Sequence, residues 1–400
     1  MTDPCIVAFD AVDTLWFREG RSFEQTDDGL ADARAVFPPS PTSLAGALAA
    51  AIGRPLLPSL RISGPFLTDG STLFLPAPST LFRKESKRST SPVAREDLVV
   101  MLPQKDSTWL GDEWLPCPVR LQQPARDASN KKHEPDLEDL SGAFIRDTEF
   151  FQHMDDMLLH GTRFLPLVGR SSVVIPEPRI GIKLQAEQRA AEPSMLYAGQ
   201  HFRPARVEPK LLCVELAGAD QATLSAIDGA LVPLGGRGRM CRLRVLPDIA
   251  LHRYRETTPP VRWRTERKRF YFRLTALSPV PVSEDGSKRF GLGLPTGNTG
   301  WCSDLQVCTA IMPSRPTVIG RWALGPGSSG TSHSSLHYAH PAGTTWFVSL
   351  PEAGKSQADL VRAFNDVRFA PPPLDGIGFG RVAAGEWPTH EGIRKRMKAK

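Results

Sequence analysis

The sequence predicts an α+β protein built from two β-α-β-β-α-β units with long loop insertions. Three observations predict it. The 400 residues suffice for two ordinary cores. Strand-length apolar runs outnumber helical ones, and a strand–helix–strand opening recurs from residue 210. The division falls between 1–207, with a long insertion at about 83–140, and 208–400, which carries a glycine-rich loop.

The first half is read from its N-terminus. Residues 5–17, CIVAFDAVDTLWF, alternate as a first strand, and FREGRSF reads as a turn. In FPPSPTSLAGALAAAIG, Pro41 suits a first helical turn, Thr42 or Ser43 can cap it, and the Ala/Leu run stops at Gly53. LRISGPFLTDGSTLFLPAP gives two short strands around Asp69-Gly70. Residues 83–140 are charged, polar and Pro-interrupted, so they read as a partly mobile insertion anchored by Trp109 and Trp114. A helix at DTEFFQHMDDMLLHG and strands at RIGIKL and MLYAGQHFRPA complete the first half.

The second half opens with a strand over 210–217, a helix over 221–231 and a strand over 240–246. KRFYFRLTAL (268–277) and HYAHPAGTTWFVSL (337–350) supply further strands, SQADLVRAFNDV (356–367) a helix, and IGFGRVAAGEW the close. No strong repeat accompanies this rhythm.

Composition narrows the class. Hydrophobic residues make up 40% and charged residues 23%, an ordinary globular mixture. The net charge of +6 leans towards a polyanionic partner, and its distribution carries more weight than its size. The six cysteines form no CxxC pair. Cys302 and Cys308 as a shared metal site is less economical than reduced thiols in a cytosolic protein. MTDPCIVAFD lacks a signal-peptide pattern, and no apolar run approaches the roughly 20 residues of a membrane span. The expectation is a soluble cytoplasmic protein with no membrane contact and no cofactor.

The most informative stretch is Leu234–Arg273. LGGRGRM is a turn in which Gly235, Gly236 and Gly238 permit positive φ and close backbone approach, while successive N–H groups form a concavity suited to phosphate oxygens. Arg237 and Arg239 add charge. Taken alone, the turn fits a tight connection with solvated arginines equally well. The residues beyond it favour nucleic acid. Arg242 and Arg244 alternate along the next strand, and then Arg253, Arg255, Arg262, Arg264, Arg267, Lys268, Arg269 and Arg273 interleave with Tyr254, Trp263, Phe270, Tyr271 and Phe272. Cations that track phosphates, among flat rings that stack on splayed bases, are the equipment of single-stranded RNA binders.

Other motifs carry less. FGLGLPTGNTGW (290–301) lacks the GK[ST] ending of a phosphate loop. GIGFGR (376–381) suits backbone contact with RNA or with a neighbouring subunit. His153, His160, His201, His252, His333, His337 and His340 have no partner at catalytic spacing, and Asp155 and Asp156 point different ways on a helix. No catalytic or metal-binding residues are therefore assigned.

The order DTLWFREGRSF, FPPSPTSLAGAL, GPFL with LFLPAP, RIGIKL with LY, LGGRGR, IGRW, HPAGTTWF and GFG resembles the third-subunit family of the type III-B (Cmr) CRISPR module. This family lies in the Cas-five-like group of the RAMP superfamily. The resemblance spans most of the chain and is weakest over 83–150. It implies two ferredoxin-like (RRM-related) domains and a non-enzymatic role: holding the 5′ tag of the crRNA in antiviral defence. It also implies two protein partners, a Cas-ten-type large subunit and a Cas-seven-type backbone subunit. By position, Gly235, Gly236, Arg237, Gly238 and Arg239 are the first candidates for tag contact, with Arg242, Arg244, Arg264, Arg267 and Arg269 alongside. Arg18, Arg21, Ser40 and Thr42 come second, because a helix N-terminus favours an anion.

Two departures stand out. Arg237 replaces an acidic residue common in the family, and Gly320-Arg321-Trp322 replaces Gly-Gly-Trp, with a Ser/Gly/Thr run at 328–335 in place of Pro-Lys. A crRNA-processing endoribonuclease of the same superfamily is the alternative function, and a protein–protein scaffold with an acidic neighbour is the other.

Overall fold

A computed structural model describes residues 3–395 except 19–29, 34, 57–58, 85–91, 106–113, 121–136, 141, 158, 160–161, 185–190, 237, 250, 252–262, 283–303, 314–315, 320–336, 353, 355, 372–373, 390 and 394. The protein is mixed and sheet-rich. In chain order its principal elements begin with β1 (Cys5–Ala11), α1 (Pro41–Ile52), β2 (Arg61–Thr68) and α2 (Asp147–Asp155). Next come β3 (Val174–Leu184), β4 (Ala191–Pro204), β5 (Leu211–Ala217), α3 (Gln221–Ile227), β6 (Leu231–Pro233) and β7 (Met240–Leu246). The last are β8 (Arg264–Glu266), β9 (Arg269–Ala276), β10 (Thr345–Pro351), α4 (Gln357–Asp366) and β11 (Val382–Glu386).

The largest sheet draws strands from both halves of the sequence. Its order is Leu167–Val168, Phe144–Arg146, Leu73–Pro76, β2, β5, β1, β7, β6, and Ile377–Gly378 adds in parallel to β2. β1 is paired antiparallel on both sides, with Val7 opposite Val214 on β5 and Val245 on β7. Strand alternation sends Cys5, Val7 and Phe9 to one face and Ile6 and Ala8 to the other. Both faces are covered, which is why this strand reads as a continuous apolar run. Leu44, Ala45, Ala47 and Leu48 of α1 join the first cluster, and Phe150, Phe151 and Met154 of α2 join the second.

The α1 signals act as expected at both ends, with one shift. Pro41 holds the first helical position and Gly53 takes the left-handed conformation (φ 69°) after the last. The N-cap is Ser40 rather than Thr42 or Ser43, and the Thr42 hydroxyl donates to Ser40 Oγ at 2.9 Å. The helix expected over 221–231 stops at Ile227. Asp220 caps its start through the Thr223 N–H, and Gly229 (φ 77°) turns the chain so that Leu231–Pro233 can pair with β7.

The stretch 83–140, expected as a charged and partly mobile insertion, contains regular strands where it is described. Strands Leu81–Lys84, Leu98–Lys105, Trp114–Arg120 and Leu137–Asp139 form a four-stranded sheet. Leu98, Val100 and Leu102 are fully buried in the α2-side core, so the apolar alternation of LVVML outweighed the charge around it. Trp109 lies outside the described residues. A further sheet, β8-β9-β10-(Gln306–Ile311), has β11 beside β9 and packs Trp263, Phe272 and Trp346 against Leu360 and Phe364 of α4.

Candidate nucleic-acid interface

The glycine turn links β6 to β7 and rests on the chain just after β1. Leu234 N–H donates to the Arg239 carbonyl at 2.7 Å, and Gly236 N–H donates to the Trp16 carbonyl at 2.9 Å. A Cβ on Gly235 would fall 2.5 Å from the Trp16 carbonyl oxygen, and one on Gly236 2.3 Å from the Trp16 ring. These two glycines permit the close backbone approach that the sequence suggested. The Gly236 N–H is already taken by Trp16, however, and does not line an anion concavity. Gly238 (φ 62°) is exposed, with open space around it. Arg237 lies outside the described residues.

Arg239 leaves this turn towards Asp13, just beyond the end of β1. Its Nη1 donates to Asp13 Oδ2 at 3.0 Å, while Arg203 Nη1 donates to Asp13 Oδ1 at 3.0 Å. Arg179 Nη2 stands 3.8 Å from Asp13 Oδ2. Glu177 ties the two hairpin arginines together, accepting from Arg179 Nε at 2.8 Å and from Arg203 Nε at 2.7 Å. The antiparallel register of β3 and β4 pairs Ile175 with Arg203, Glu177 with His201 and Arg179 with Gly199, which puts all three polar residues of the cluster on one face. Beneath them the Trp16 ring is stacked on His201 with centroids 6.0 Å apart. The Thr14 backbone N–H first, and then Arg203 and Arg239, hold the Asp13 carboxyl below the usual carboxylate range. Hydrogen bonds from Arg203 and then Arg179 do the same for Glu177.

Sequence reasoning placed Arg239 at the site but missed Asp13, Glu177, Arg179 and Arg203. The only signal was the alternation E-x-R and H-x-R in two strands. It becomes a cluster only once the hairpin register is known.

Arg242 and Arg244 are exposed on alternate positions of β7, as expected. Arg244 pairs with Asp10, and Arg242 Nη1 reaches the Gly229 carbonyl at 3.4 Å. Arg18 is exposed and its backbone forms an isolated antiparallel bridge with Ala35, and Ser40 and Thr42 sit half-buried at the start of α1. Arg21, and Gly320 to Trp322 of the departing loop, lie outside the described residues.

The aromatic strip is placed differently from the expectation. Trp263, Phe270 and Phe272 are core residues, with Trp263 stacked on Phe272 at 4.0 Å and an interplanar angle of 10°. Period-two alternation along β9 turns Phe270 and Phe272 inward, Trp263 packs with them against α4, and the three present no face to a base. Arg273 is fully buried; its Nη1 reaches Thr80 Oγ1 at 3.3 Å and its Nη2 donates to the His153 carbonyl. The Arg264 guanidinium lies over the rings of Tyr271 and Trp387, 4.5 and 5.0 Å from their centroids. Arg269 bonds Ser349 and the Asp304 carbonyl, while Arg267 stands exposed at the β8–β9 turn. Arg253, Tyr254, Arg255 and Arg262 lie outside the described residues.

GIGFGR serves internal packing. A Cβ on Gly378 would meet Pro41 at 2.9 Å, and one on Gly380 would meet the Phe369 backbone at 2.6 Å. Among the described residues, no group of three or more His, Cys, Asp or Glu is arranged to hold a metal, and no helix is long and apolar enough to cross a membrane. Burial raises the thiols of Cys5, Cys213, Cys308 and Cys241, the last to about 12.

Fold and site define a sheet-rich α+β protein whose charged surface gathers arginines around a glycine turn. A family model described as CRISPR-associated protein (Cas_Cmr3) matches residues 8–387, and the chain belongs to that family. No curated protein matches the sequence significantly. Among solved structures, a chain of the cryo-EM structure of the Type III-B Cmr-beta bound to cognate target RNA is similar at 14% identity and TM-score 0.46, covering 95% of this chain and 96% of that one. A chain of the crystal structure of the Csm3-Csm4 subcomplex in the type III-A CRISPR-Cas interference complex is similar at 8% identity and TM-score 0.35, covering 86% and 92%.

Proposed function

We propose that this protein is a non-catalytic, cytoplasmic subunit of a type III-B CRISPR interference complex. In this reading it holds the 5′ tag of the crRNA and bridges a Cas-ten-type large subunit to a Cas-seven-type backbone subunit. Family membership supports the setting. The observation that carries the RNA reading is the glycine turn packed on Trp16, which delivers Arg239 to the surface at the head of the arginine-bearing strand β7. The turn acts as a rigid mount: with Gly235 and Gly236 pressed on Trp16, Arg239 is positioned without a long flexible loop. Guanidinium groups fit phosphate oxygens in pairs, and binding through them weakens as salt rises.

A processing endoribonuclease needs a histidine, tyrosine or lysine within reach of a scissile phosphate. The described histidine side chains, His153, His201 and His340, are all buried, so none of these three is open to a scissile phosphate. The test is a gel shift with tag-bearing RNA together with an incubation on repeat RNA. Expected are a salt-sensitive shift, weakened by about 1–3 kcal/mol in an Arg239→Ala/Arg242→Ala/Arg244→Ala variant, and no discrete cut. A cut abolished by a His→Ala substitution would establish the endoribonuclease instead.

A further inference from the structure

We infer that Arg179, Arg203 and Arg239 form a phosphodiester-binding clamp, held ready by Asp13 and Glu177. This rests on the RNA-binding reading above and extends it to the β3–β4 hairpin, whose arginines nothing in the sequence assigned. Three guanidiniums from three separate elements meet one carboxylate: Arg203 and Arg239 each at 3.0 Å, and Arg179 at 3.8 Å. Glu177 accepts from the two hairpin arginines on its other side. Three positive groups against two negative ones leave one net positive charge in a cluster whose side chains are 23–46% exposed.

The arrangement has more donors than its acceptors use. Each guanidinium carries five N–H groups in a planar fork, and two carboxylates cannot engage them all. A phosphodiester brings two further anionic oxygens of the geometry these forks match. The two acids also fix long side chains that would otherwise lose rotamer freedom on binding, so part of the ordering cost is met before the ligand arrives. Partly exposed ion pairs add little to stability on their own. This cluster is partly exposed, positive, and joined to the glycine turn through Arg239.

The experiment is fluorescence anisotropy of a fluorescein-labelled single-stranded oligouridylate with the full-length chain over a range of salt, the fold of each variant being followed by thermal unfolding. Arg203→Ala and Arg179→Ala are each expected to weaken binding about tenfold at low salt and to flatten the log K against log salt slope by about 0.7, the value for one phosphate on a single strand. Arg203→Lys keeps the charge without the fork and is expected to retain the slope while losing part of the affinity. If both hairpin alanine variants fold and bind like the parent while Arg239→Ala weakens binding, the clamp is refuted and the RNA-binding reading stands. If Arg239→Ala and Arg242→Ala/Arg244→Ala also leave binding unchanged, the RNA-binding reading falls with it.

Discussion

Arg273 Nη1 lies 2.9 Å from His153 Nε2, with both side chains fully buried. A guanidinium has no acceptor, so it donates and the imidazole must accept through an unprotonated Nε2. The pair joins β9 to α2. Burial first, and the Arg273 charge second, hold His153 well below the usual histidine range, while burial brings Arg273 down to about 9.

That pair makes stability depend on pH. His153 stays neutral in the folded chain, whereas in the unfolded chain it takes up a proton below about pH 6.5. Its contribution to stability is therefore complete above that pH and is lost as the pH falls below it, at no more than about 1.4 kcal/mol per pH unit. Burial lowers His340 too, and with the same sign. Urea unfolding between pH 7.5 and 5 should show the decline, and His153→Gln should flatten it.

Arg273→Ala should destabilise the fold by about 3 kcal/mol, since it leaves the His153 carbonyl and the Thr80 hydroxyl without their charged donor. Once folded, the variant should bind RNA like the parent. Urea unfolding and anisotropy on the same preparation separate the two effects.

Gly236 and Gly238 of the turn should behave differently. Gly236→Ala puts a Cβ into the Trp16 ring and should lower both the unfolding temperature and the RNA affinity, because Arg239 is carried on the same turn. Gly238→Ala meets only the left-handed backbone penalty at φ 62° and should cost about 1–2 kcal/mol. Calorimetry with a binding assay checks the order.

Trp263→Phe should leave RNA binding unchanged, whereas Trp263→Ala should cost about 3–5 kcal/mol of stability, the loss expected for a large core side chain. A Trp263→Phe protein that folds fully yet binds RNA ten times more weakly would return this ring to the interface.

Local signals were legible in the sequence where a single element decides the outcome. Pro41 and Gly53 bracket α1, CIVAF reads as a strand although its alternation does not reveal that both faces are buried, and LGGRGR reads as a turn needing close approach. What escaped depends on pairing between distant segments. Nothing in CIVAF announces that β1 lies between β5 and β7, and nothing in RIGIKL or HFRPA announces that Arg179 and Arg203 will share Asp13. The strip around Phe270 and Phe272 misled for a related reason. Alternating arginines and rings suit an exposed RNA-binding sheet, but they equally suit a strand covered on one side by α4 and on the other by α2, and only the packing decides.

The most direct test uses a purified complex whose guide carries photoreactive 4-thiouridine in its 5′ tag, with the crosslinks located by peptide mapping. Crosslinks are expected in this chain to peptides spanning the glycine turn with β7 and the β3–β4 hairpin. Tag nucleotides crosslinked solely to other subunits, or to surfaces of this chain away from those segments, would contradict it.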